Sequence, residues 1–248
     1  MKGVVEFNNT LYKVDFSKPI DLSLPVKPGG VKAWYVSDPE FKPVIMKGFI
    51  GSVGQGGSVN FRDITFNPHG HGTHTECWGH ITKEVHPVNE ILDHYMMPAL
   101  VVTVTPEQVG SDQKITPACL KALRNSPEVE ALIIRTAPNS SQKPDKNYTE
   151  TNWPYLTEEA AELIVAQGIQ HLLIDLPSVD KENDNGSLVS HKILFGLPNN
   201  IRKKQTITET IFVPDFVVDS VYVLNLQLAN IQNDAAPSRP VLYAIEKV

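Results

Sequence analysis

Apolar side chains along this chain recur in two patterns, short continuous runs and strict alternation. Residues 98–105 (Pro-Ala-Leu-Val-Val-Thr-Val-Thr), 131–136 (Ala-Leu-Ile-Ile-Arg-Thr) and 171–176 (His-Leu-Leu-Ile-Asp-Leu) are compact, largely β-branched and apolar. Such runs predict strands buried on both faces. Helical signals lie between them. Thr116 can cap a helix whose first position is Pro117 and which stops near Asn125. Thr157 caps a second, with Glu158 and Glu159 suited to its positive end, Ala160, Leu163 and Ile164 on one face, and Gly168 as its stop. This order predicts an α/β core with some parallel pairing. Residues 221–229 alternate, with Tyr222, Leu224, Leu226 and Leu228 on one face, as do residues 241–245, so the later strands read as antiparallel. The first forty residues, with Pro19, Pro25, Pro28, Gly29 and Gly30, read as extended segments and turns. No repeat or linker divides the chain, and one domain over 1–248 is expected.

Composition narrows the function classes. A chain of 248 residues with 41% apolar and 20% charged residues can bury a sizeable core. Its net charge of −6 argues against a polyanion partner. The short basic patch Arg202-Lys203-Lys204 reads as a solvated loop, so no nucleic-acid contact is expected. The opening Met-Lys-Gly-Val-Val-Glu-Phe has no apolar core of signal-peptide length, and no run nears the roughly 18 apolar residues that span a bilayer. Cys77 and Cys119 alone imply no disulfide framework. A cytoplasmic protein without a membrane partner is expected.

The chemistry concentrates in residues 67–80, Asn-Pro-His-Gly-His-Gly-Thr-His-Thr-Glu-Cys-Trp-Gly-His. His69, His71, His74 and His80 fall within twelve residues, beside Glu76. Imidazole and carboxylate are the ligands expected of a hydrolytic zinc, manganese or iron site. Gly70 and Gly72 allow the tight turning that lets neighbours in sequence converge on one ion. If the stretch after Gly72 is extended, His74, Glu76 and His80 share a face. A surface loop whose histidines cap turns or pair with carboxylates is the plainer alternative, weakened by finding four together with a glutamate. A cysteine–histidine nucleophile at Cys77 is conceivable, but a free cysteine there more often packs inertly. Neither a Gly-x-Ser-x-Gly elbow nor a glycine-rich phosphate loop is present.

The run Gly72-Thr73-His74-Thr75-Glu76-Cys77-Trp78-Gly79-His80 resembles the His-x-Gly-Thr-His-x-Asp-x-Pro-x-His signature of the cyclase family, which includes bacterial kynurenine formamidase and isatin hydrolase. The resemblance extends to Asp21-Leu22-Ser23 with Pro25, Pro28-Gly29 and Trp34. It continues through Leu132–Thr136, Asp175–Asp180, His191–Leu194 and Thr208–Ile211. It implies a single-domain α/β fold with a mixed β-sheet core flanked by helices, a homodimer, and hydrolysis of an amide-type C–N bond in a small molecule. It also implies one or two ions, Zn2+ or Mn2+, with His74, Glu76, His191 and Glu209 as ligands, His80 as general acid/base and Trp34 lining the substrate pocket. The chain departs from the signature where Gly70 occupies the first histidine's place, leaving His69 or His71 as substitute; the glycines that follow favour His69. Glutamate replaces aspartate at 76, Trp78 replaces proline, and Pro198–Lys204 is an insertion.

A metal lowers the pKa of bound water from about 16 toward 7, and His80 can carry the proton onward. Asp175 or Asp180 could orient a ligand imidazole or simply serve a turn. Lactone hydrolysis, cyclisation or dehydration on the same site, and a non-catalytic metal- or ligand-binding protein, are the competing readings.

Overall fold

The computed structural model describes every residue of the chain except Asn125. It opens with β1 (Lys2–Phe7), β2 (Thr10–Asp15) and β3 (Ile20–Asp21). An exposed arm follows, in which β4 (Glu40–Pro43) pairs with β7 (Arg62–Thr65), and β5 (Ile45–Met46) with β6 (Phe49–Ile50). Then come β8 (His74–Cys77), β9 (Met96–Val104), β10 (Glu107–Val109), β11 (Asp112–Ile115), α1 (Lys121–Arg124) and β12 (Ala131–Thr136). The remaining elements are β13 (Tyr155–Leu156), α2 (Glu158–Ala166), β14 (His171–Ile174), α3 (Val189–Phe195), β15 (Thr206–Glu209), β16 (Val221–Leu228) and β17 (Ala235–Lys247).

The expected order of parallel centre and antiparallel ends is observed. Strands β9, β12, β14 and β15 run parallel in that order, and β16 and β17 are antiparallel. The expectation of a mixed sheet flanked by helices needs correction. The sheet runs β17-β16-β9-β12-β14-β15-β8, and β8 pairs again with β17, so seven strands close on themselves like a barrel. The length of β17 makes this possible. Its thirteen residues pair with β8 at Ala235–Pro237, with β16 over Ser238–Ala244, and with β2 at Ile245–Lys247.

Alternation sends successive side chains to opposite faces of the sheet. Met97, Ala99, Val101, Ala131, Ile133, Leu173 and Leu224 pack together in one cluster. Leu100, Val102, Leu132, Ile134, Leu172 and Ile174 pack in another with Leu123 of α1, Ala160 and Ile164 of α2, and Leu194 of α3. The helices therefore cover the outer face, and the central strands are buried on both sides. This is why they read as continuous apolar runs.

Helix α2 follows its local signals. Thr157 Oγ1 accepts the Ala160 N–H at 3.3 Å, and Gly168 at φ 76° ends the turn; removing such a cap costs about 0.5–2 kcal/mol. Helix α1 is shorter than predicted. The Thr116 hydroxyl donates to Glu107 Oε1 at 2.9 Å instead of capping, and residues 116–120 form i→i+3 turns. The predicted stop at Asn125 lies outside the described residues. Helix α3 has no counterpart among the predicted elements. Its last turn is held by the Pro198–Lys204 insertion, from which Arg202 Nη1 donates to the Ile193 and Leu194 carbonyls at 2.5 and 3.1 Å.

Candidate metal centre

Strand β8 carries His74 and Glu76 two residues apart, hence on one face. Gly72 at φ 66° makes the turn that delivers the strand, and a Cβ there would lie 2.8 Å from the Leu24 carbonyl oxygen. Strand β15 brings Glu209 opposite His74. The expectation that the extended stretch reaches His80 is corrected. The strand ends at Cys77, and a 3₁₀ turn over Trp78–Ile81 carries His80 back toward Glu76, Nε2 to Oε2 3.9 Å. Helix α3 supplies His191, whose Nε2 lies 2.9 Å from Glu76 Oε1.

Of the two candidates for the first histidine, the structure brings in His69, with Nδ1 3.0 Å from Glu76 Oε2. It does not bring in His71. That ring accepts the Asn67 N–H at Nδ1 and donates from Nε2 to the Ser37 carbonyl, so main chain engages both nitrogens. Among the described residues three groupings could hold an ion: His69 with His74 and Glu76, His69 with His80 and Asp234, and Glu76 with His80 and His191. Three atoms of the first grouping, His69 Nδ1, His74 Nε2 and Glu76 Oε2, are buried without a hydrogen-bond partner. Buried polar atoms are rarely left so, and atoms that converge unpaired are what a cation's ligands look like in its absence. The donor set fits a divalent metal.

Charge balance reinforces this. Burial opposes ionisation of Glu76, yet the charges of His80 and His191 and the hydrogen bond from His191 hold its carboxyl well below the usual range. Burial would lower His69, but its hydrogen bond to Asp234 and the nearby carboxylate of Glu76 raise it to about 10. His191 is likewise raised against burial, by Glu76 and Asp180. The site thus favours positive charge beside the Glu76 carboxylate.

The surrounding residues divide clearly. Asp180 accepts the His191 Nδ1–H at 2.6 Å and, at the start of α3, the Ser190 and His191 N–H groups. Asp175 instead accepts from Thr136 and pairs with Lys143 Nζ at 2.7 Å, away from any candidate ligand. Burial pushes the Cys77 thiol to about 12, and its Sγ donates to the His86 carbonyl, which leaves it inert. Trp34, at φ 62° and edge-on to Trp153 with centroids 5.0 Å apart, shares a cavity of about 310 Å³ with His69, Glu76, His80, His191 and Glu209. Asp234 is absent from the sequence-based candidates, since only the β8–β17 pairing brings it near.

The family model described as “Putative cyclase” matches residues 20–181. Kynurenine formamidase of Bacillus cytotoxicus is 29% identical over 195 residues, covering 76% of this chain and 82% of its own. That of Bacillus cereus is 26% identical over 234 residues, covering 94% and 97%. Among solved structures, isatin hydrolase A from Labrenzia aggregata superposes with TM-score 0.67 at 15% identity, over 92% of this chain and 94% of its own. A “predicted metal-dependent hydrolase” from Bacillus stearothermophilus gives 0.65 at 19%, over 91% and 98%. At such identities these structures share the fold.

Proposed function

Because the chain belongs to the cyclase family, we propose that it is a metal-dependent hydrolase that cleaves an amide-type C–N bond, other than a peptide bond, in a small molecule. The observation that carries this reading is the convergence of His69 Nδ1, His74 Nε2 and Glu76 Oε2, buried and unpartnered beside the cavity. In this reading those three hold one divalent ion, and His191 with Glu209 completes the same position or holds a second. The mixed imidazole and carboxylate set suits zinc or manganese. When bound, such an ion supplies Lewis acidity toward water and toward the scissile carbonyl.

His80 moves the proton. Its ring is partly exposed at the cavity, and Nε2 faces Glu76, so it can take a proton from attacking water and return it to the leaving nitrogen. Asp180 holds the His191 ring in place. Trp34 walls the substrate side. Residues 1–248 act as one domain and associate as a homodimer, a reading supported by the apolar side chains exposed along the β4–β7 arm. Among the described residues no helix is long and apolar enough to cross a membrane, and both cysteines are free, which supports a cytoplasmic setting. Elemental analysis, joined to a screen of N-formyl arylamines, cyclic amides and lactones, tests the proposal. Turnover of N-formyl or cyclic amides by metal-loaded protein is expected; hydrolysis of lactones alone would overturn the C–N assignment.

A further inference from the structure

Asp234 is the last residue before β17, and its Oδ2 meets two imidazoles at once. It accepts the His69 Nε2–H at 2.7 Å and the His80 Nδ1–H at 3.2 Å. The two rings stack with centroids 4.1 Å apart, and the carboxylate closes one end of the stack. An imidazole nitrogen that donates to a carboxylate keeps its proton, which leaves the lone pair on the other nitrogen.

We propose that Asp234 is a positioning residue that fixes both tautomers, so that His69 meets an ion through Nδ1 while His80 works through Nε2. The inference rests on the reading of the site as a metal centre with His80 as its proton carrier. His69 Nδ1 is the atom buried without a partner, 3.0 Å from Glu76. The neighbouring rings are set the other way. His74 donates from Nδ1 to the Gly72 carbonyl and His191 from Nδ1 to Asp180, so each presents Nε2. His69 is turned over relative to both. The reversal accompanies its shift in the loop, where Gly70 occupies the place a histidine holds in the signature. Approaching one residue early, the ring offers its near nitrogen to the centre, and its far nitrogen needs an acceptor. Asp234 is that acceptor, its Oδ2 2.7 Å from His69 Nε2.

Protein labelled with 15N at histidine and loaded with zinc tests this through long-range 1H–15N correlation. The expected spectrum shows His69 protonated at Nε2 and metal-shifted at Nδ1, with His80 protonated at Nδ1. Asp234→Ala, checked for folding by thermal denaturation, is expected to lose roughly 10–100-fold in zinc affinity by chelator competition. Its kcat falls more than its KM rises, and the His80 proton redistributes between the two nitrogens. Wild-type protein that binds neither zinc nor manganese would overturn the metal-centre reading and this inference with it. Zinc held through His69 Nε2, or an Asp234→Ala variant unchanged in zinc affinity and in His80 tautomer, would overturn this inference alone.

Discussion

Glu209 faces His74 across the antiparallel pairing of β8 and β15, with its Oε2 3.3 Å from His74 Nε2. The pairing sets this geometry, because the two are register partners. The other oxygen, Oε1, accepts the Val179 N–H at 3.2 Å. Glu209→Gln keeps that acceptor and the shape but removes the charge. Its metal affinity should fall beyond the roughly 10–100-fold typical of groups that only support a ligand. Metal analysis after dialysis against a chelator, with circular dichroism to confirm the fold, measures it.

Binding and proton transfer should separate at the two ends of the histidine segment. His80→Ala should keep its metal and lose roughly 10²–10⁴-fold in turnover. His74→Ala should lose metal and activity together. If His80→Ala sheds its metal as fully as His74→Ala does, His80 is a ligand and another group must carry the proton.

The pH dependence has a definite sign. His69, raised to about 10 in the metal-free protein, stabilises the fold fully below its unfolded value, near 6.5, and loses that contribution as pH rises through 10. A metal bound through Nδ1 displaces a proton, so apparent affinity should rise with pH across roughly pH 6–9. The gain in Tm on adding metal should widen over the same range. Calorimetry in buffers of different ionisation enthalpy counts the released proton; a count of zero would contradict the charge balance described for the centre.

Gly79 holds the His80 turn tightly against the main chain. A Cβ at this position would lie 2.4 Å from the His86 carbonyl oxygen and 2.6 Å from its nitrogen, neither of which can swing aside. Gly79→Ala should therefore cost about 1–3 kcal/mol in urea unfolding. It should also reduce turnover more than metal content, because the displaced turn carries His80 and none of the three unpartnered atoms.

The arm between β4 and β7 leaves Ile45, Phe61 and Ile64 more than half exposed, at 69%, 54% and 55%. Sedimentation should show a dimer at micromolar concentration. Phe61→Lys with Ile64→Lys should shift it toward monomer without lowering Tm, and an unchanged dimer would place the contact elsewhere.

Strands β9, β12, β14, β16 and β17 and helix α2 were legible because their signals are local. The Thr157 cap and the apolar runs at 131–136 and 171–176 depend on neighbours in sequence. Closure of the sheet was not, because β8 and β17 pair across most of the chain and neither carries a mark of its partner. The same holds within the site. His74 and Glu76 could be placed on one face from spacing alone, whereas the path to His80 turns on the contact of Gly79 with His86. The choice between His69 and His71 depends on Asn67 and Ser37, which occupy both nitrogens of the His71 ring. Asp234 had no local signal at all.

Closure by β17 also orders events during synthesis. A nascent chain emerging at roughly 5–20 residues per second presents β8 and β15, with His74, Glu76 and Glu209, before β17 leaves the ribosome. Until then one edge of β8 stands open as a template for foreign strands. Asp234 reaches His69 and His80 only once β17 docks, so the shared acceptor of the two rings is the last part of the site to arrive.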